Sequence, residues 1–421
     1  MHRVLRLFSH LRTLPWLACF LATPAVTQEK FSVIVEAGAY DRHDVVVAFK
    51  LPPEVRSART LRRGQETIPL QVAKDGTGMF KVTDLGRGKS ISYDFVVRDD
   101  QAPARGSQLR SRQQDSRIQF AFTSTAQAQA TPQPLLEYQA EAGPLPRADI
   151  KPIFKRGGYL HPIRTLSGRL VTDDYAPNHL HHHGVWWAWT KTKFDGREPD
   201  FWNMGEAKGR VEYLGMDSTW EGPVHAGLRA RHRFVDLTAA EPVVALSETW
   251  TVTVFGPAGR TAWIFELESE QTCTTEQPLS LPQYHYGGLG VRGNRAWDGK
   301  DHTYFLTSEG ETDRIKAHAT RARWCDMSGE VDGQRVGIAI LGHPLNFRSP
   351  QPMRVHPTEP FFCFAPQQAG DMLLRPGEIY RSRYRFVVHD GPPDRVDLDR
   401  LWNDFASPPV ARVARMDVRQ K

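Results

Sequence analysis

Four histidines fall within five positions of the stretch "NHLHHHGVWWAW", residues 178–189: His179, His181, His182 and His183. Neutral imidazoles ligate divalent transition metals, and imidazoles also carry protons near neutral pH. On an extended strand, side chains alternate faces. His179, His181 and His183 then share one face with Trp187 and Trp189, and His182 shares the other with Trp186. The first three form a candidate metal set, with Asp173, Asp174 and Glu359 as possible carboxylate partners. Alternate residues on a strand stand about 6.5–7 Å apart, so three imidazoles meet one ion only if the chain bends. A second reading is a sugar site, in which imidazoles exchange hydrogen bonds with hydroxyls and Trp187 or Trp189 stacks on a pyranose ring. The nearby "DFWNMG", residues 200–205, suits that use. A third reading is structural, with the tryptophans packing a sandwich and the histidines filling polar corners.

Two further clusters carry polar chemistry. "QYHYGGLGVRG", residues 283–293, has glycines in GxGxxG spacing. A dinucleotide fingerprint needs a helix to follow, and here "NRAWDGKD" follows, which is turn chemistry. Tyr284 and His285 read better as a strand end beside a cleft, against the plain alternative of a core histidine. The stretch "GHPLNFRSPQPMRVHPTEPFFCFAPQ" offers His343, Asn346, Arg348, Arg354, His356 and Glu359 among several prolines, the pattern of an irregular loop.

These residues need a scaffold, and the chain reads as all-β. Short alternating runs between Lys30 and Phe122, such as "HDVVVAFKL" and "RIQFAFTS", predict a small sandwich over 28–122. Residues 123–134 read as a linker. From 135 to 392, runs such as "ALSETWTVTV" and "AWIFELESE" alternate as half-buried antiparallel strands do, and predict one large sandwich. Val396, Leu398, Leu401, Trp402 and Phe405 sit at helical spacing, so 393–421 reads as a short helix and a basic, solvated tail.

Residues 1–27 have the layout of a secretory leader: Arg3, Arg6 and Arg12, then a short apolar run, then small residues. A lipoprotein reading through Cys19 is the lesser alternative. Export to the periplasm or medium is therefore expected, and no later stretch is apolar and long enough to span a membrane as a helix. The formal net charge of +6 includes the three leader arginines, and no basic helix or strand stands out, which argues against a nucleic-acid partner. Cys273, Cys325 and Cys363 are far apart, and nothing selects a pair among them.

The stretch "YLHPIRTLSGRLVTDDYAPNHLHHHGVWWAW" with "DFW" after it resembles a bacterial family labelled PmoA, "methane oxygenase", otherwise treated as a domain of unknown function. The matching residues include His161, Pro162, Arg164, Thr165, Gly168, Thr172, Asp174, Pro177, the histidine run, Gly184, Trp186 and Asp200–Trp202. Particulate methane oxygenase is a membrane assembly, so the oxygenase activity itself is not expected. The ending "MLLRPGEIYRSRYRFVV" is similar to that of aldose 1-epimerases and other galactose-mutarotase-like domains. That resemblance implies a supersandwich, a sugar-binding role for Arg164 and a general-acid role for His285. The general base of that family falls on Ala365 here, so mutarotation itself is not implied.

Together these readings give an exported carbohydrate-active protein. As an enzyme it would do acid–base chemistry of lyase, isomerase or glycosidase type on a sugar or oligosaccharide. His181, His183, His285 and Glu359 are the candidate catalytic groups. Arg164, His179, His182, Trp187, Trp189, Tyr284 and Arg348 are the candidate substrate contacts. A divalent metal on His179, His181 and His183 is a possible cofactor. A non-catalytic glycan binder and a metal-dependent oxidase or isomerase stay open.

Overall fold

The computed structural model describes residues 30–96, 108–124, 131–259 and 261–416. The leader, Cys19 and the last five residues lie outside them. The chain is built almost wholly from antiparallel strands, as its alternation predicts.

Two eight-stranded sheets form the main body. The first runs, in spatial order, Met353–Val355, Phe361–Phe364, Gly288–Arg292, Val185–Ala188, Tyr159–Ile163, Gln133–Gln139, Arg117–Thr123 and Gln108–Gln114. The second runs Gly209–Trp220, His225–Asp236, Val243–Ala258, Ala262–Cys273, Tyr380–Asp390, Gln334–Gly342, Trp324–Val331 and Tyr304–Thr307. Their inner faces meet in one core. Phe364 stacks on Tyr384 at 5.4 Å, Trp187 lies 5.8 Å from Tyr384, and Tyr138 lies 6.5 Å from Trp250. Strands here follow from alternation: in Ala262–Cys273, Trp263, Phe265 and Leu267 are wholly buried, and Glu266, Glu268 and Glu270 pair with arginines of Tyr380–Asp390 on the outer face.

The helix Arg395–Ala406 starts where expected. Asp394 caps it, accepting from the backbone N–H of Val396 and Asp397. Leu398, Leu401 and Phe405 cover Ala262, Ile264 and Val387 on the outside of the second sheet.

Two readings of sheet membership need correction. Gln108–Gln114 and Arg117–Thr123, grouped by sequence with the small sandwich, pair into the first large sheet through Gln133–Gln139. The tail, read as solvated, forms the strand Val410–Met416, which pairs along Lys30–Glu36 at the edge of the small sandwich. Alternation specifies that a strand forms but not which edge receives it. Cys273, Cys325 and Cys363 are free thiols.

Candidate functional site

The histidine run is one arm of a hairpin, Asp174–Ala176 against His179–His183. The pairing is bulged. Asp174 lies opposite His183 and Ala176 opposite His179, so one intervening residue faces three. A bulge of this kind bends the strand and breaks its alternation. His179 and His182, which a regular strand would put on opposite faces, are stacked at 4.6 Å and 14°. The run is therefore bent, and the bend brings His179 to His182 rather than lining up His179, His181 and His183.

Gly184 separates the hairpin arm from the sheet strand Val185–Ala188. A Cβ there would stand 2.2 Å from the Leu160 carbonyl oxygen, so only glycine passes. Beyond it, Trp186 points outward under the histidines, 5.0 Å from His182 and 5.0 Å from Trp202. Trp187 and Trp189 point inward.

A cavity of about 230 Å³ opens beside the hairpin, lined by His179, His181, His182, Trp202, Asn203, His285, Tyr286, Arg354, His356 and Phe361. Three stretches far apart in sequence bring these residues together, besides the Trp202–Asn203 turn. Asp200 holds that turn, accepting from the backbone N–H of Trp202 and Asn203 through one oxygen, and from Thr190 Oγ1 and Asn203 Nδ2 through the other. Asn203 Nδ2 also reaches the Tyr286 hydroxyl at 3.1 Å.

Glu359 anchors the far side. Its Oε2 lies 2.9 Å from His179 Nδ1 and accepts from Arg292 Nη1 at 2.5 Å, and its Oε1 accepts from Asn178 Nδ2 at 2.7 Å. Arg292 is wholly buried and also bridges to Asp298 at 2.6 Å. Burial opposes the charge on Glu359, but His179 and Arg292 outweigh it and hold the carboxyl at about 2.

Burial disfavours the charged form of four of the imidazoles, His181, His182, His285 and His356. Burial, then the neighbouring His179 and His183, pushes His181 down to about 3. Burial pushes His356 down to about 4 against the pull of Glu359. His182 lies well below its ordinary value, chiefly through burial between His179 and the Phe361 ring, 4.7 Å away. His285 is the most exposed of them, and burial with nearby Arg354 lowers it.

The remaining sequence candidates fall elsewhere. His183 is fully buried in a separate box: its Nδ1–H donates to Asp174 at 2.6 Å, Asp174 accepts the Tyr159 hydroxyl, and the rings of Tyr159 and Tyr175 flank it. It does not line the cavity. Trp187 and Trp189 are core residues, 1% and 0% exposed, and Trp189 Nε1 donates to Gln271. Neither offers a face to a sugar. Arg164 donates to the Gly168 carbonyl and lines no part of the cavity. Arg348 is spent bracing a loop through the carbonyls of Pro366, Gly370 and Asp371. Tyr284 stands beside His285 at 4.3 Å, outside the lining.

Sequence reasoning missed Arg292, Asn178, Tyr286 and Phe361 as site residues. Arg292 lay in the rejected GxGxxG stretch, where a single cation in an apolar strand was the available signal. Arg354, His356, Trp202 and Asn203 were noticed in their clusters, but no local pattern said that these clusters meet.

Comparison with curated proteins gives no match. Among solved structures, a galactose mutarotase related enzyme from Lactobacillus acidophilus aligns at 9% identity and a TM-score of 0.25, over 67% of this chain and 97% of that one. A TPR-domain containing protein from Parabacteroides distasonis aligns at 10% identity and a TM-score of 0.21, over 87% of this chain and 56% of its own. At such scores neither likeness specifies an activity. A family model covers residues 125–403, the histidine hairpin and every cavity residue included, and it carries no methane-oxygenase label. The chain belongs to this family, described as Family of unknown function (DUF6807).

Proposed function

We propose that the histidine cavity is a carbohydrate site and that the chain does acid–base chemistry on a sugar there. One observation carries the reading: five imidazoles from separate segments converge with Arg354 and Asn203 on one cavity walled by Trp202, Tyr286 and Phe361. Dense hydrogen-bonding groups against aromatic walls suit a polyhydroxylated ring with an apolar face. At about 230 Å³ the cavity falls below the ~300–1,000 Å³ of drug-sized pockets, which favours one sugar unit or the end of a chain.

The proton carrier is His285. A group works best when its pKa lies near the working pH, and His181 at about 3 and His356 at about 4 are poor carriers at neutrality. These two act as neutral hydrogen-bond partners, and Glu359 stays an ionised anchor. Arg354 binds a sugar oxygen or carboxylate. The leader-like residues 1–27 support export.

The test is turnover of a panel of monosaccharides, uronates and glycosides, followed by mass spectrometry, with binding measured by calorimetry. His285→Ala is expected to lower kcat about 10²–10⁴-fold with binding largely retained. Arg354→Ala is expected to weaken binding. Products unchanged in both variants would overturn the assignment, and binding without any product would make the chain a glycan binder.

A further inference from the structure

We propose that His179, His182 and Glu359 bind one divalent transition-metal ion of zinc type at the edge of the cavity. One ligand atom from each lies within 4.8 Å of the others. Two ligands at about 2.1 Å from an ion are at most ~4.2 Å apart, so the site closes by some tenths of an ångström on binding. Two imidazoles and a carboxylate are a donor set found on catalytic zinc, which leaves a fourth position open.

Three observations favour an ion over a plain hydrogen-bonded cluster. First, the rings are spaced as ligands of one ion are. Imidazoles sharing a tetrahedral metal have centres about 5 Å apart, from the metal–nitrogen length and the ring radius. Here His179 and His182, the two proposed imidazole ligands, are 4.6 Å apart. Second, His182 is 3% exposed, and its Nδ1 has no hydrogen-bond partner among the described residues. A buried unpaired ring nitrogen calls for a partner. Third, Glu359 does not have its guanidinium to itself. Arg292 is shared between Glu359 and Asp298. The Glu359 oxygen that faces His179 is placed to take a cation as well.

The surroundings match how ligating groups are held. Asn178 and Arg292 fix the Glu359 carboxylate from behind, as outer-shell partners do. Phe361 packs on His182 and fixes that ring. The stacked pair cannot point both lone pairs at one ion, so His179, half-buried at the hairpin tip, is the ring that turns. His181 and His356 then flank the open position, where a substrate oxygen would meet the metal.

The metal inference needs no sugar, so it is read without one. The full chain, purified without a histidine tag and stripped by chelator, is titrated with Zn²⁺ by calorimetry and with Co²⁺ by visible absorption. One equivalent is expected, with the d–d bands of a tetrahedral or five-coordinate site. His179→Ala and Glu359→Gln should each weaken binding more than about 100-fold, and Asn178→Ala by about 10–100-fold. Both ligand residues are partly exposed, so these variants should fold, which far-ultraviolet circular dichroism checks. His43→Ala, altering an exposed histidine in the other sandwich, should bind as the parent does. Absence of stoichiometric binding, or equal affinity in parent, His179→Ala and Glu359→Gln, would overturn the site. Loss of metal with sugar turnover intact would leave the carbohydrate reading standing.

Discussion

Three consecutive histidines meet three different environments. His181 lines the cavity, His182 is clamped between two rings, and His183 is sealed in a box with Asp174. His183 is therefore placed to hold the fold, away from the cavity lining. Its loss would leave Asp174 with only the Tyr159 hydroxyl, a poorly compensated carboxylate. Breaking a fully buried pair costs about 3–5 kcal/mol. The Asp174 side chain is 16% exposed, so water recovers part of this. His183→Ala is expected to lower unfolding free energy by about 2–3 kcal/mol in urea melts. His183→Asn, whose amide can replace the Nδ1–H donor, should recover part of that. Metal and substrate binding at temperatures where the variant is folded should match the parent. A variant of parental stability that has lost turnover would instead return His183 to the catalytic set. Residue types alone could not make this distinction. Alternation assigns His181 and His183 to one face, and only the bulge, a property of how Asp174–Ala176 pairs, separates them.

At the scale of elements, most strands were legible and their partners were not. "AWIFELESE" and "ALSETWTVTV" alternate cleanly because each has one face in the core and one in solvent. "GLGVR" is buried at every position, so no period marks it, and its place in mid-sheet came only from the fold. The junction between the small sandwich and the main body was equally silent in sequence. Gln71 contributes to it: its Oε1 accepts from the N–H groups of Val224 and His225, and its Nε2 donates to the His225 carbonyl. The His225 ring, 6% exposed, accepts at Nδ1 from Trp220 Nε1 at 2.8 Å. Burial pushes His225 down to about 4. The unfolded chain therefore takes up this proton near 6.5 and the folded chain only near 4. The contribution is intact above about 6.5, falls as the pH drops through that window, and is gone below about 4. The expected size is at most a few kcal/mol. Urea melts at pH 7 and pH 4.5 should show a smaller pH gap in His225→Gln than in the parent. An identical gap would mean that other groups carry the acid sensitivity.

Across the whole molecule, the first and the last of the described strands close on one another. Val410–Met416 pairs residue for residue with Lys30–Glu36, so the small sandwich is finished only when the C-terminal strand arrives. Ala411 and Val413 pack against its core while Arg412 reaches out to Glu36, an alternation present in "VARVARM" but overshadowed by its charge. A second tie lies beside it. Arg42, 1% exposed, pairs with Asp404 of the closing helix at 2.8 Å and donates to the Ser407 carbonyl. Removing residues 408–421 should therefore damage the far sandwich rather than the body the tail leaves. It exposes the Lys30–Glu36 edge and uncovers Phe31, Val33 and Val35. The two large sheets keep every strand, and the cavity loses no residue. Calorimetric melting of the truncated chain should show an early transition of the small sandwich ahead of the main one. Limited proteolysis should cut first within residues 30–96, with Zn²⁺ affinity unchanged. A single cooperative transition at the parental temperature would mean that the small sandwich stands without its last strand. Loss of metal affinity together with the early transition would mean that the cavity depends on the closed ring of the chain.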